Sequence, residues 1–346
     1  MEDISSRLAA YLAHRIPAAS DIEITGVSRI PGGASRETYR FVATWKESGR
    51  PVRRPLILRR DPVSSLIETE RDIEFNAYRA FHPTGLPVPE PLYIETDVKW
   101  LDRPFIIMEQ IENCVAGSPF RLDPYGEHAE KIGKQFWFHL GKIAAADPEA
   151  IGFETGMESP APDECWRIEL DKWEKVIDED ELVPQPVARA AIRWLRRNPP
   201  PPAQKISVVH GDYRSGNFLH DEAGDIRAIL DWEMAHLGDP LEDIAWAADP
   251  LWAFEHPDKP GRMIPREEAF ALWEESSGLK IDPVALRWWE VFNSLKGLAI
   301  WISSGKEYQS GASTDPILAM PSWYCTDVHN RVLASRLAEL SKEARR

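Results

Sequence analysis

The sequence predicts an α+β chain of two lobes, a small antiparallel β lobe ahead of a larger, mainly helical one. Three observations lead there. Short apolar runs of strand character crowd the first hundred or so positions, long patterns of 3.6-residue period fill the remainder, and 346 residues are too many for one compact core. The domain boundary falls near residue 111, dividing 1–110 from 111–346.

The first lobe opens with a helix that sets Ile4, Leu8 and Leu12 on one face, followed by strands near 22–30, 37–45 and 55–59. Between the first two strands lies PGGASRETY (31–39). Gly32 and Gly33 let the backbone approach a ligand closely, and Ser35 adds a hydroxyl and an N–H, so the loop can cover phosphates. Two glycines between strands also make an ordinary hairpin turn. The third strand, LILRRD, ends on Arg59, and a helix over about 69–81 places Glu70 and Glu74 one turn apart on one face. RPFIIMEQI (103–111) is an apolar strand that ends in polar residues.

The second lobe carries helical periods at 129–145, 187–197, 283–304 and 322–340, and twelve of the fourteen tryptophans. Most of these indoles are expected in the core, where they bury large areas. The four prolines of 199–202 form a stiff connector into the next strand. An acidic helix at 163–181 with Trp166 and Trp173 offers a stripe that would suit a polyamine, or a solvated helix face.

The most informative stretch is VVHGDYRSGNFLHDEAGDIRAILDWE (208–233). A short strand delivers the chain to a loop with Gly211 and Gly216, and Asp212 stands on that loop. Asn217 follows five residues later. After a hairpin through Gly224 and a second strand at 226–230, Asp231 returns beside them. Phosphoryl transfer from a nucleotide needs this set: a carboxylate to orient and deprotonate a hydroxyl, and oxygen ligands for Mg²⁺ on the phosphates. His210 is expected to brace the loop, and Asp239 and Asp243 of GDPLEDIAWA to support it from behind by accepting backbone N–H groups.

The motif resembles that of the aminoglycoside phosphotransferase family, the small-molecule branch of the protein-kinase-like fold, whose catalytic loop reads H-G-D-x-x-x-x-N. The flavour of PGGASRETY, LILRRDP and HGDYRSGNFL is similar to the kinase-like members associated with acyl-CoA dehydrogenases. The resemblance implies a two-lobed kinase-like fold with Asp212 as catalytic base, Asn217 and Asp231 as Mg²⁺ ligands, and Asp231-Trp232-Glu233 where protein kinases carry D-F-G. It further implies that Gly32, Gly33 and Ser35 cover the phosphates of ATP. Arg59 stands where kinases place a phosphate-binding lysine, with Glu74 as its carboxylate partner. Backbone groups near Glu109 and Ile111 would meet adenine, with Met108 behind it. Arginine for lysine is a departure, because its planar fork is larger than an ammonium.

The implied activity is ATP- and Mg²⁺-dependent transfer to a hydroxyl of a small molecule, with an antibiotic, a hydroxyacyl compound or another alcohol as acceptor. A catalytically silent nucleotide-binding protein is the alternative. A protein kinase is disfavoured, because GDPLEDIAWA follows Asp231 at once and leaves no platform for a peptide. A net charge of −15 argues against nucleic acid, which needs a basic face. No run approaches the roughly 18 apolar residues of a membrane span. Cys114, Cys165 and Cys325 share no metal-ligand spacing, which suits a reducing cytoplasm. Oligomeric state has no signature in the chain.

Overall fold

Five strands in the first third of the chain pair into one antiparallel sheet. The structure, a computed structural model, describes residues 2–30, 36–61, 71–118, 121, 123–153, 156, 158–254, 256–311 and 316–343. After helix α1 (Glu2–Arg15) come β1 (Ala19–Ile30), β2 (Glu37–Glu47), β3 (Arg50–Arg60), helix α2 (Arg71–Phe81), β4 (Pro91–Glu95) and β5 (Phe105–Glu109). The strand order is β1-β2-β3-β5-β4. The strands run longer than periodicity alone indicates, because β2 and β3 stay paired from Glu37–Arg60 down to Glu47–Arg50.

Strand β5 shows how the period of two builds the lobe. Phe105 and Ile107 face a core made with Leu8, Tyr11 and Leu12 of α1, whereas Ile106 and Met108 face the larger core that holds Ala77, Tyr78 and Phe81 of α2. Arg59 lies two residues beyond Ile57 on β3, so it shares the face turned away from α1. The two apolar cores do not divide at residue 111. The larger one takes in α2 and the cleft side of β5, and Phe81 stacks on Trp232 with ring centres 4.8 Å apart.

The rest of the chain adds β6 (Val115–Ala116), α3 (Ala129–Ala145), α4 (Cys165–Asp180), α5 (Pro186–Arg197), β7 (Ser207–Val209), β8 (Phe218–His220), β9 (Ile226–Ile229) and β10 (His236–Gly238). Helices α6 (Leu241–Ala247), α7 (Pro250–Ala253), α8 (Arg266–Ser277), α9 (Pro283–Gln309) and α10 (Pro316–Glu343) complete it. Two small sheets, β10-β7 and β6-β8-β9, carry the loop that holds Asp212. α9 is the spine of this lobe, buried along most of its 27 residues. Asp282 caps its N-terminus by accepting from the backbone N–H groups of Val284 and Ala285.

At Gly297 α9 meets α10 so closely that a Cβ would lie 2.1 Å from His329 Cε1 and 2.5 Å from Nδ1. The imidazole has no room to step aside. Its Nε2 meets Asp249 Oδ1 at 3.0 Å and its Nδ1 accepts from Trp301 Nε1 at 2.8 Å. Gly297→Ala, which stabilises an exposed helix by about 1 kcal/mol, is expected here to destabilise the protein by about 1–3 kcal/mol through overpacking. Urea unfolding measures the sign directly.

Candidate active site

The loop that carries Asp212 is held from behind by a side-chain carboxylate that accepts from its backbone N–H groups. Asp243 Oδ2 and Oδ1 accept from the N–H groups of His210 at 2.6 Å and Gly211 at 2.9 Å. Gly211 has φ +82°, and a Cβ there would meet the Met234 carbonyl at 2.4 Å, so the position admits glycine on two grounds. His210 Nδ1 accepts from the Asp212 N–H at 3.2 Å, which assigns the ring proton to Nε2, 3.0 Å from the Leu230 carbonyl. Burial pushes this imidazole down to about 4, so it stays neutral and braces the loop. Asp239 sits farther back, accepting from Trp289 Nε1 at 2.9 Å and the Leu241 N–H at 2.9 Å.

Asp212 accepts from Trp246 Nε1 at 2.7 Å and Arg214 Nε at 3.1 Å on Oδ1, and from Asn217 Nδ2 at 2.6 Å on Oδ2. The same Asn217 nitrogen reaches the Asp212 carbonyl at 2.9 Å. With its nitrogen so engaged, the amide oxygen of Asn217 is the atom left to ligate a cation. Asp231 follows β9 with φ +63°, a left-handed conformation that Asp tolerates better than most residues, and its N–H donates to Tyr78 Oη at 3.2 Å. Asn217, Asp231 and the nearby Glu233 offer hard oxygen donors, a set that suits Mg²⁺ better than a softer metal.

From the β lobe Arg59 reaches into this group. Its Nη1 lies 2.6 Å from Glu74 Oε1 and 2.7 Å from Asp231 Oδ1, and its Nη2 lies 3.3 Å from Glu233 Oε2. Arg36 adds a second guanidinium, 3.2 Å from Glu74 Oε2 and 3.7 Å from Glu233 Oε2. Burial alone would raise the Asp231 carboxyl, but the Arg59 charge outweighs it and holds the group below the usual carboxylate range. Glu233 is pushed up to about 7, by burial first and then by the charges of Glu74 and Asp231, with Arg59 opposing.

A cavity of about 640 Å³ opens between the lobes, and Arg59, Tyr78, Met108, Glu109, Ile111, Asp212 and Asp231 line it. Asn217 stands behind Asp212, 4% exposed. At the β5 end the Glu109 N–H is bonded to the Glu90 carbonyl at 2.9 Å and the Gln110 N–H to the Pro55 carbonyl at 3.1 Å. The Glu109 N–H is therefore unavailable to a ligand, whereas the Ile111 N–H has no partner among the described residues. Gly32, Gly33, Ser35 and Glu70 lie outside the described residues.

The acidic helix α4 is not part of the cavity. Trp173 is fully buried, and Asp171, Glu174 and Asp178 pair with Arg196 and Arg189 across the α4–α5 surface. Its stripe is a solvated face, the commoner fate of a charge run.

Four residues escaped sequence reasoning, Arg36 of the ion cluster among them. Arg214 brings a cation to the cavity wall beside Asp212 and stacks 4.8 Å over the Trp252 ring. Trp246 contacts Asp212 from α6, one helical turn beyond Asp243, and that spacing was the available signal. Lys296, 1% exposed on α9, reaches the Gly211 carbonyl at 2.5 Å and Glu242 Oε1 at 2.9 Å. Its distance of 85 residues from Gly211 left no local pattern to read.

The model of the phosphotransferase enzyme family matches residues 26–279. Among curated relatives, acyl-CoA dehydrogenase family member 11 of Gallus gallus is 27% identical over 197 residues, 55% of this chain and 24% of that protein. Family member 10 of Mus musculus is 29% identical over 198 residues, 56% of this chain and 18% of that protein. The chain thus spans a quarter or less of these relatives. A Ralstonia eutropha structure described as a candidate aminoglycoside phosphotransferase is 19% identical with a TM-score of 0.72, covering 96% of this chain and 98% of that one. A thermostable mutant of aminoglycoside phosphotransferase APH(4)-Ia, in ternary complex with ADP and hygromycin B, gives 18% identity and a TM-score of 0.56 over 96% of this chain and 98% of that one. At such identities the likeness establishes the two-lobed, protein-kinase-like fold.

Proposed function

Because the chain belongs to the phosphotransferase enzyme family, we propose that it transfers the γ-phosphoryl group of ATP to a hydroxyl of a small molecule. One observation carries the reading: Arg59 from the β lobe and Asp212 and Asp231 from the helical lobe face a single cavity between them. Residues 1–110 hold the nucleotide and 111–346 the acceptor. Adenine lies at the end of β5 against Met108 and the Ile111 N–H. Arg59 grips the phosphates, with Glu74 holding its guanidinium. Asn217 and Asp231 hold Mg²⁺, whose charge, when bound, offsets that of the phosphates. Asp212 orients the acceptor hydroxyl and takes its proton, and Arg214 faces the negative charge of the group in transfer.

On the Asp212 side the cavity lining includes Met234, Trp246, Ile300 and Trp301 of the helical lobe. Trp301 turns its N–H inward to His329, so it presents ring rather than donor to the cavity. The carboxylates on the lining are Asp212, Asp231, Glu109 and Glu233, all close to the catalytic loop, the Arg59 cluster or the end of β5. Among the described residues a polycationic antibiotic finds no further anions there. An alcohol with an apolar body fits better, and the acyl-CoA dehydrogenase relatives point to a hydroxyacyl thioester. Three free cysteines suit a reducing cytoplasm. Among the described residues no helix is long and apolar enough to cross a membrane.

Labelled-phosphate transfer from ATP to a panel of hydroxyacyl thioesters and aminocyclitols tests both levels. The expected result is transfer, with kcat/KM for the thioesters higher by roughly tenfold or more. Preference for aminocyclitols would overturn the acceptor assignment alone. The silent alternative draws on Arg59, whose guanidinium is already shared among three carboxylates. It prevails if ATP raises the melting temperature while neither transfer nor hydrolysis occurs.

A further inference from the structure

Three side chains hold the Asp212 carboxylate, and they do not hold it symmetrically. A carboxylate offers roughly four acceptor positions, two on each oxygen. Trp246 Nε1 at 2.7 Å and Arg214 Nε at 3.1 Å fill both on Oδ1, and Asn217 Nδ2 at 2.6 Å takes one on Oδ2. One position remains, and it is on Oδ2.

The two donors on Oδ1 differ in kind. Arg214 is a partly exposed cation on the cavity wall, held also by the Ser215 carbonyl at 3.1 Å and by the Trp252 ring, and its charge can face an incoming phosphate. Trp246 is 1% exposed and has one hydrogen to give. Its ring is fixed edge-on to Trp252 with centres 5.4 Å apart, and the Lys296 ammonium lies 5.3 Å from its centre. Nor does burial explain the bond. The indole N–H groups of Trp45, Trp137, Trp173, Trp252 and Trp273 are buried with no hydrogen-bond partner. This fold leaves indoles unsatisfied elsewhere, and aims this one at the carboxylate the reaction needs.

Building on the phosphotransfer reading, we infer that Trp246 is a positioning residue that clamps Oδ1 of Asp212 and thereby makes Oδ2 the atom that receives the acceptor proton. In the step itself the acceptor oxygen forms a bond to the γ-phosphorus, and its proton passes to Asp212 Oδ2. The bond from the γ-phosphorus to the β–γ bridging oxygen breaks, its electron pair leaving on the nucleoside diphosphate. Asp212 then loses the proton to solvent as products depart. Without the indole N–H the carboxylate turns about its Cβ–Cγ bond, and the fixed approach between Oδ2 and the hydroxyl is lost.

Trp246→Phe removes the donor and keeps an aromatic ring, and Trp246→His restores an N–H near the same place. Phe is expected to lower kcat roughly 10- to 100-fold with the KM for ATP within about twofold of the parent, and His to recover part of the loss. A packing role alone would lower the melting temperature of both variants and leave kcat per folded molecule unchanged, which overturns the inference. A crystal structure of Trp246→Phe decides the geometry independently of turnover. A turned carboxylate, with the Asn217 contact to Oδ2 broken, supports the clamp, and an unmoved one refutes it. If the parent protein transfers no phosphate, the phosphotransfer reading and the proton-receiving role of Oδ2 fail together, whereas a carboxylate that turns in the variant still supports the clamp on Oδ1.

Discussion

Asp212→Ala is expected to lower kcat by roughly 10²- to 10⁴-fold, the range over which a positioned general base contributes, while leaving the KM for ATP close to that of the parent. The separation follows from where the side chain stands. Asp212 lines the cavity beside Arg214 and Trp246 rather than beside Ile111, so its carboxylate is placed for the acceptor and not for the base of the nucleotide. Its removal frees the Asn217 nitrogen, which keeps a second bond to the Asp212 carbonyl at 2.9 Å, so the loop retains its shape. Asn at 212 is a less clean substitution, because its amide nitrogen can face the Asn217 nitrogen at 2.6 Å, donor to donor. Initial rates of the purified variant, with circular dichroism to confirm folding, measure the effect.

The second large effect is on stability as well as on binding. Arg59→Ala is expected to destabilise the protein by about 3–5 kcal/mol, the usual result of removing one partner from a buried ionic cluster, and to abolish protection by ATP against thermal unfolding. Glu74 is wholly buried and would keep Arg36 alone at 3.2 Å. Asp231 would lose the guanidinium that holds its carboxyl below the usual range. Arg59→Lys should fall between. An ammonium can stand near Glu74 and Asp231, but it lacks the planar fork that spans from those two carboxylates to Glu233. Urea unfolding of the three proteins, followed by melting with and without Mg²⁺ and ATP, gives the order.

Much of the site was legible because its spacing is local. The 212, 217 and 231 positions are fixed by a strand, a glycine-bearing loop and one hairpin, all within twenty-five residues of sequence, and short-range turn chemistry dictates such units. The helices at 129–145, 187–197 and 283–304 were legible for a similar reason, since their apolar periods run for three turns or more. What could not be read depends on packing across distance. Lys296 meets Gly211, and Arg59 meets Glu233, only when the lobes and α9 are assembled. The acidic stripe of α4 left two readings open, because charge pattern states which face is polar but not what stands opposite. Here Arg189 and Arg196 of α5 stand there. Glu109 was legible as a strand end, yet only its pairing shows that its N–H is already spent on the Glu90 carbonyl.

A crystal of the protein with Mg²⁺ and a non-hydrolysable ATP analogue tests the central claim most directly. The account predicts the triphosphate in the cavity between the lobes, metal density against Asn217 Oδ1 and Asp231, the adenine at the Ile111 N–H, and the γ-phosphate facing Asp212. A nucleotide bound elsewhere, or one seated there with its γ-phosphate turned away from Asp212 and no metal at Asp231, would contradict it.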